Sequence, residues 1–140
     1  MTKEDIIKFI NANLVCHLAT AEGDQPHVRG MMAYRADEKG IIFHTGNTKD
    51  LYKQIRDNPA VEASFFDPKT NTQVRVKGKA VIIYDDNLKR EILAARPFLR
   101  PWVEELGLEV IVTFRITDCC ACVWTFETNF APKQYVKISD

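Results

Sequence analysis

The chain of 140 residues carries 19 Lys and Arg against 19 Asp and Glu, so its formal net charge is zero. That balance offers no global field to attract nucleic acid or an anionic membrane, and any basic chemistry has to be local. A chain of this length buries roughly 68% of its unfolded surface, enough for a core without disulfide staples.

The opening residues MTKEDIIKFI mix charges with short apolar steps, and no stretch approaches the ~18 consecutive apolar residues of a membrane span. The expectation is one soluble, cytoplasmic domain over residues 1–140. Cys16, Cys119, Cys120 and Cys122 lack the CxxC spacing of zinc knuckles and redox dithiols. They read as free thiols packed in strands, with a metal or redox role as the alternative.

Thr2 and Asp5 have the spacing of a capping box, and Ile6, Ile7, Phe9, Ile10 and Leu14 follow at helical intervals. A strand is expected over 15–20, a turn at AEGDQP, a second strand over 27–35, a turn at ADEKG and a third strand over 41–45. After Thr45 the period lengthens. Thr48 is expected to cap a helix that carries Leu51, Tyr52 and Ile55 on one face and stops at Asn58-Pro59. A strand over 61–66 leads through DPKTN into a long strand over 72–84, where Gly78 predicts a bulge or bend. Asp85 or Asp86 caps a helical stretch through Ala95, broken at Pro97 and Pro101. Strands over 108–116, 119–126 and 134–138 close the chain. So many strands with so few helices between them predict a mainly β, antiparallel barrel with peripheral helices rather than alternating strands and helices.

The junction FHTGNTKDLYKQI holds the most chemistry. A helix start exposes amide N–H groups and the positive end of the dipole, which together favour an anion. Lys49 in a first turn runs against the dipole preference, at a cost of ~0.3–1 kcal/mol that a bound anion would offset. It reads either as part of such a site or as a solvated surface lysine. Arg29 stands in the small and apolar run VRGMMAY, where a buried guanidinium needs an anionic partner and an exposed one needs none. Gly30 would admit a flat ligand to the backbone or mark a bulge. Gln73 and Arg75 share a strand face with Lys77 and Lys79, either as solvated surface or with Gln73 bonding a heterocycle edge. Trp102 and Trp124 could stack a ring or simply pack. His17, His27 and His44 lack metal-ligand spacing, so no metal site is expected.

In order and spacing, PHVRGMMAY, GIIFHTGNTKDLYKQIRDNPAVEASFFDP and TQVRVKGKA resemble the pyridoxamine 5′-phosphate oxidase-like family of FMN-binding split barrels. The likeness implies a six-stranded antiparallel split barrel that binds FMN at the interface of a homodimer. Arg29 would meet the FMN phosphate, and the backbone of Gly30, Met31 and Met32 would run along the isoalloxazine. Thr45 would sit beside the flavin or ribityl chain, Thr48 and Lys49 would complete the phosphate cradle, Gln73 would bond the flavin, and Trp124 would reach across the interface. The oxidases carry an arginine-to-serine substrate-phosphate motif, whereas ARPFLRPW offers Arg96, Pro97 and Arg100 without the serine. They also end in an arginine/histidine pair absent from FAPKQYVKISD, which argues against pyridoxamine phosphate as substrate. The implied function is a flavin-dependent oxidoreductase acting on a small molecule, with neither nucleic acid nor membrane as partner. The alternatives are a non-catalytic flavin-binding or electron-carrier module, or a split barrel that binds another cofactor such as haem.

Overall fold

All 140 residues are described by a computed structural model of the chain. Eight strands, β1 (Val15–Glu22), β2 (Gln25–Met32), β3 (Arg35–Asp37), β4 (Gly40–Gly46), β5 (Ala60–Asp67), β6 (Thr72–Ile83), β7 (Ile111–Trp124) and β8 (Tyr135–Lys137), form one antiparallel sheet. Four helices lie around it: α1 (Lys3–Ala12), α2 (Asp50–Asp57), α3 (Asp86–Ala95) and α4 (Arg100–Leu106).

The strand order is β2-β1-β5-β6-β7-β4-β3, with β8 added to β7. The two ends of this path, β2 and β3, are consecutive in the chain and separated only by Ala33 and Tyr34. A sheet whose first and last strands are tied so closely has to curl until its ends meet. The two ends do not pair, so the barrel stays open between them.

The strand count corrects the expected six to eight. The predicted strand over 27–35 breaks at Met32, and Arg35–Asp37 pairs separately with β4. The predicted strands over 108–116 and 119–126 are one strand, β7. Its ladder with β6 is interrupted at Gly78, where the register shifts, and Asp118 takes a left-handed φ of 52°. This is the bulge that Gly78 predicts, and it bends β7 without ending it. A Cβ on Gly78 would lie 2.4 Å from the Thr117 carbonyl oxygen, so β7 can come this close only to a glycine.

The inward face of the sheet supplies a core that includes Leu18, Phe43, Phe65, Val74, Val76 and Phe114. The rings of Phe43 and Phe114 stack with centroids 5.3 Å apart, and burying side chains of this kind contributes ~1.5–3 kcal/mol each. Helix α1 adds Ile6 and Ile10, and its start is fixed by the Thr2–Asp5 capping box with both reciprocal bonds made. Asp85 caps α3 by accepting from the amides of Asn87 and Leu88. No helix is long and apolar enough to cross a membrane.

Helix α2 begins one residue later than expected. Lys49, not Thr48, is the N-cap, and no side chain caps the helix start. The first-turn residue is therefore Asp50, which agrees with the dipole preference, so the electrostatic anomaly assigned to Lys49 disappears.

Candidate functional site

A cavity of about 890 Å³ opens at the split, walled by β2, β4, the start of α2 and the segment that runs from Arg96 to Ile111. Its size and mixed lining are those of a small-molecule or cofactor site. Of the nine residues that the resemblance implies for the flavin, Arg29, Gly30, Met31, Met32, Thr45, Thr48 and Lys49 converge here. Gln73 and Trp124 do not.

Alternation along β2 determines what each of its residues presents. Arg29 pairs with the buried Leu18 and so points to the inner side of the sheet, over α2. Its Nη1 donates to the Leu18 carbonyl at 3.2 Å and to Thr20 Oγ1 at 2.9 Å, and its Nη2 donates to Gln54 Oε1. Thr20 Oγ1 in turn donates to Gln54 Oε1 at 2.7 Å. These acceptors are all neutral. They hold the guanidinium in one orientation without cancelling its charge. Burial pulls the Arg29 pKa down, and the charge of Asp50 opposes that shift.

Gln54 was not foreseen. It sits on the buried face of α2 beside Leu51 and Ile55 and is only 6% exposed. The one available sign was a polar residue three positions after Leu51, on the apolar face of an amphipathic helix.

Thr45, the last residue but one of β4, is buried, and Thr48 and Lys49 follow on the turn into α2. The stem of Lys49 lies against Gly46, with Cγ 3.6 Å from where a Cβ on that glycine would stand. Around the cavity the cations Arg29, Lys49 and Arg96 face a single carboxylate, Asp50. That excess of positive charge suits a dianion. A Cβ added to Gly30 would meet nothing within 4 Å, so packing inside the chain does not demand a glycine here. No strand pairs with the outer edge of β2, although the Met32 carbonyl accepts from Arg96. A phosphate-bearing planar cofactor fits this donor set.

The far wall holds Arg96, Phe98, Leu99, Trp102 and Leu106. Arg96 is 7% exposed and has no carboxylate partner, and its guanidinium lies over the Tyr34 ring at 5.3 Å. It bonds to His44, which also lines the cavity. Burial, then Arg96 and Lys49, push the His44 pKa down from 6.5 to about 4.

Gln73 and Trp124 are cross-strand partners on the opposite, outer face of β6 and β7, next to Phe66 on β5. Trp124 Nε1 donates to Asn129 Oδ1 at 2.9 Å. Within one chain neither side chain reaches the cavity.

The model of the pyridoxamine 5′-phosphate oxidase family matches residues 2–112. A pyridoxine/pyridoxamine 5′-phosphate oxidase of Haemophilus influenzae is 31% identical over 107 residues, which cover 74% of this chain and 50% of that protein. The chain thus spans about half the length of the curated relatives it matches. Among solved structures, a NimC/NimA family protein from Clostridium acetobutylicum superposes with a TM-score of 0.76 at 24% identity, covering 96% of this chain and 91% of that one. An FAD-binding protein from Mesorhizobium loti superposes with a TM-score of 0.64 at 18% identity, covering 89% and 96%. At these identities the two structures establish a shared fold.

Proposed function

This chain belongs to the pyridoxamine 5′-phosphate oxidase family, and on that premise we propose that it binds FMN in the cavity at the split and acts as a flavin-dependent oxidoreductase. The observation that carries the reading is that Arg29 and Lys49 line the cavity against one carboxylate, Asp50, beside the edge of β2 that no strand pairs. Arg29, already aimed by Gln54 and Thr20, would form charge-assisted bonds to the phosphate, with Lys49 as a second, flexible cation. The hydroxyls of Thr45 and Thr48 would donate to the phosphate and the ribityl chain. The edge of β2 over Gly30, Met31 and Met32 would meet the ring with backbone groups, where Gly30 leaves room for it.

When bound, the flavin would supply the electron or hydride transfer, and the protein would supply binding, orientation and electrostatics. A haem held by His44 Nε2 is disfavoured, because that nitrogen already accepts from Arg96 and is not free to ligate iron.

The same reading places the site at the interface of a homodimer. Met32, Val15 and Phe66 are exposed large apolar residues on the outer sheet face that carries Gln73 and Trp124. Covering this face with a second copy would bury them and bring that copy's Gln73 and Trp124 to the flavin. The working setting is the cytoplasm, where the four unpaired cysteines would stay reduced.

The test is an equilibrium titration of purified protein with FMN, read by flavin absorbance and fluorescence. Saturable uptake of one FMN per chain is expected. A protein that takes up no FMN in excess would overturn the reading.

A further inference from the structure

His44 and Arg96 meet at the Met32 end of β2, three residues along the strand from Arg29. Arg96 Nη1 lies 2.8 Å from His44 Nε2 and 3.1 Å from the Met32 carbonyl oxygen, and Nη2 lies 2.6 Å from the Ala33 carbonyl oxygen. A guanidinium can only donate, so Nε2 is the bare nitrogen of the ring, and the neutral imidazole carries its hydrogen on Nδ1. That Nδ1–H has no partner in the chain, is not among the buried unpaired atoms, and belongs to a side chain that lines the cavity.

The cavity wall that follows Arg96 in the chain is chiefly apolar. Phe98 and Trp102 are 64% and 59% exposed and stand on the same wall as Leu99 and Leu106. The only ionised group on that wall is Arg96, and three of its five donors are already committed to Met32, Ala33 and His44. This wall therefore offers aromatic surface and one fixed neutral donor. Arg29 and Lys49 offer charge.

We propose that this wall is the binding site for the second substrate, a neutral planar aromatic compound bearing a carbonyl-type oxygen, with His44 Nδ1–H donating to that oxygen and Phe98 and Trp102 packing against the ring. Arg96 is a positioning residue, which fixes the tautomer and the tilt of the imidazole. The proposal rests on reading Arg29 and Lys49 as the phosphate site of the flavin, because it assigns the substrate the part of the cavity that the phosphate cluster leaves. Burial and the two neighbouring cations keep His44 neutral at pH 7, in keeping with a donor that carries no charge.

The experiment uses 1,4-naphthoquinone, with naphthalene as the ring-matched probe that lacks an acceptor, on the FMN-loaded protein. His44→Phe is expected to weaken naphthoquinone binding about tenfold and naphthalene binding by less than about twofold. Nitrogen-15 NMR of the unaltered protein at neutral pH is expected to show the Nδ1-protonated tautomer, with its resonance moving when naphthoquinone is added. Arg96→Gln is expected to mix the tautomers and give an intermediate naphthoquinone affinity. An Nε2-protonated ring, unchanged naphthoquinone binding in His44→Phe, or equal weakening of both probes would overturn the proposal. FMN uptake is measured separately. If it fails, the flavin reading falls, while the two-probe comparison on the flavin-free protein still decides the role of His44.

Discussion

Gln73 lies directly opposite Trp124 across the β6–β7 ladder, on the sheet face turned away from the cavity that gathers Arg29 and Lys49. If both groups of residues serve one flavin, they come from different chains. Two variants, Arg29→Ala and a Gln73→Ala/Trp124→Ala double substitution, should each bind FMN poorly alone. Mixed and allowed to exchange subunits, they should regain strong binding at about a quarter of the sites, because half of the dimers are mixed and each holds one intact site. FMN titration of the mixture reads this, and no recovery would place all these residues in a site within one chain.

The phosphate end is tested by comparing two ligands that differ only there. Arg29→Ala and Lys49→Ala should each weaken FMN by ~1.5–3 kcal/mol while leaving riboflavin nearly unchanged. Gln54→Leu should do the same more mildly, since it removes the acceptor that aims Arg29 without removing the charge. Equal losses for FMN and riboflavin would show that the phosphate lies elsewhere.

A different test concerns acid. The folded chain holds His44 at about 4, whereas the unfolded chain titrates it near 6.5. Between those values the unfolded state binds the extra proton. The contribution is therefore complete above pH 6.5 and is lost as the pH falls towards 4. Because the ring is only partly buried, the loss should be about 2 kcal/mol rather than the full value the shift would imply. Urea unfolding of the unaltered protein and of His44→Asn at pH 7 and pH 4.5 measures it as a difference that narrows in acid.

Gly78 offers a stability test remote from the cavity. A methyl group there would meet the Thr117 carbonyl oxygen at 2.4 Å and Ile116 Cγ2 at 2.7 Å, so β7 would have to move. Gly78→Ala should lower stability by ~1–3 kcal/mol, seen as a lower denaturant midpoint with an unchanged slope.

The features legible in the sequence are those decided over a few residues. The Thr2–Asp5 box, the Asp85 cap and the Gly78 bulge each depend on near neighbours, and each is present in the fold. Boundaries were less legible. Thr48 is a good capping residue by type, yet the turn after Gly46 leaves Lys49 in that position. The break predicted near Thr117 and Asp118 is a bulge, because the ladder to β6 continues on both sides of it.

The candidate site was legible where residues lie close on one strand or one turn, as with Gly30, Met31 and Met32 or Thr45, Thr48 and Lys49. The supports were not. Gln54 reaches Thr20 over 34 positions and Arg29 over 25, and Arg96 reaches His44 over 52. Such pairings arise only once the sheet has curled, and no local pattern announces them. Arg96 drew notice only through the family's substrate-phosphate motif and Trp102 only as a ring that could stack or pack, and it is the fold that brings both to the cavity that Arg29 lines.

The free flank of β2 has an evolutionary corollary. Every residue brings a backbone carbonyl and every residue but proline an N–H, so a surface made of main chain survives changes of side chain that would dismantle a pocket of functional groups. Along Val28–Met32 the chain can vary its bulk and polarity, retuning what lies beside a bound ring, while the amides and carbonyls on that flank persist. Proline is the exception: introduced at a position whose amide faces the cavity, it would delete a donor that no neighbouring side chain can replace.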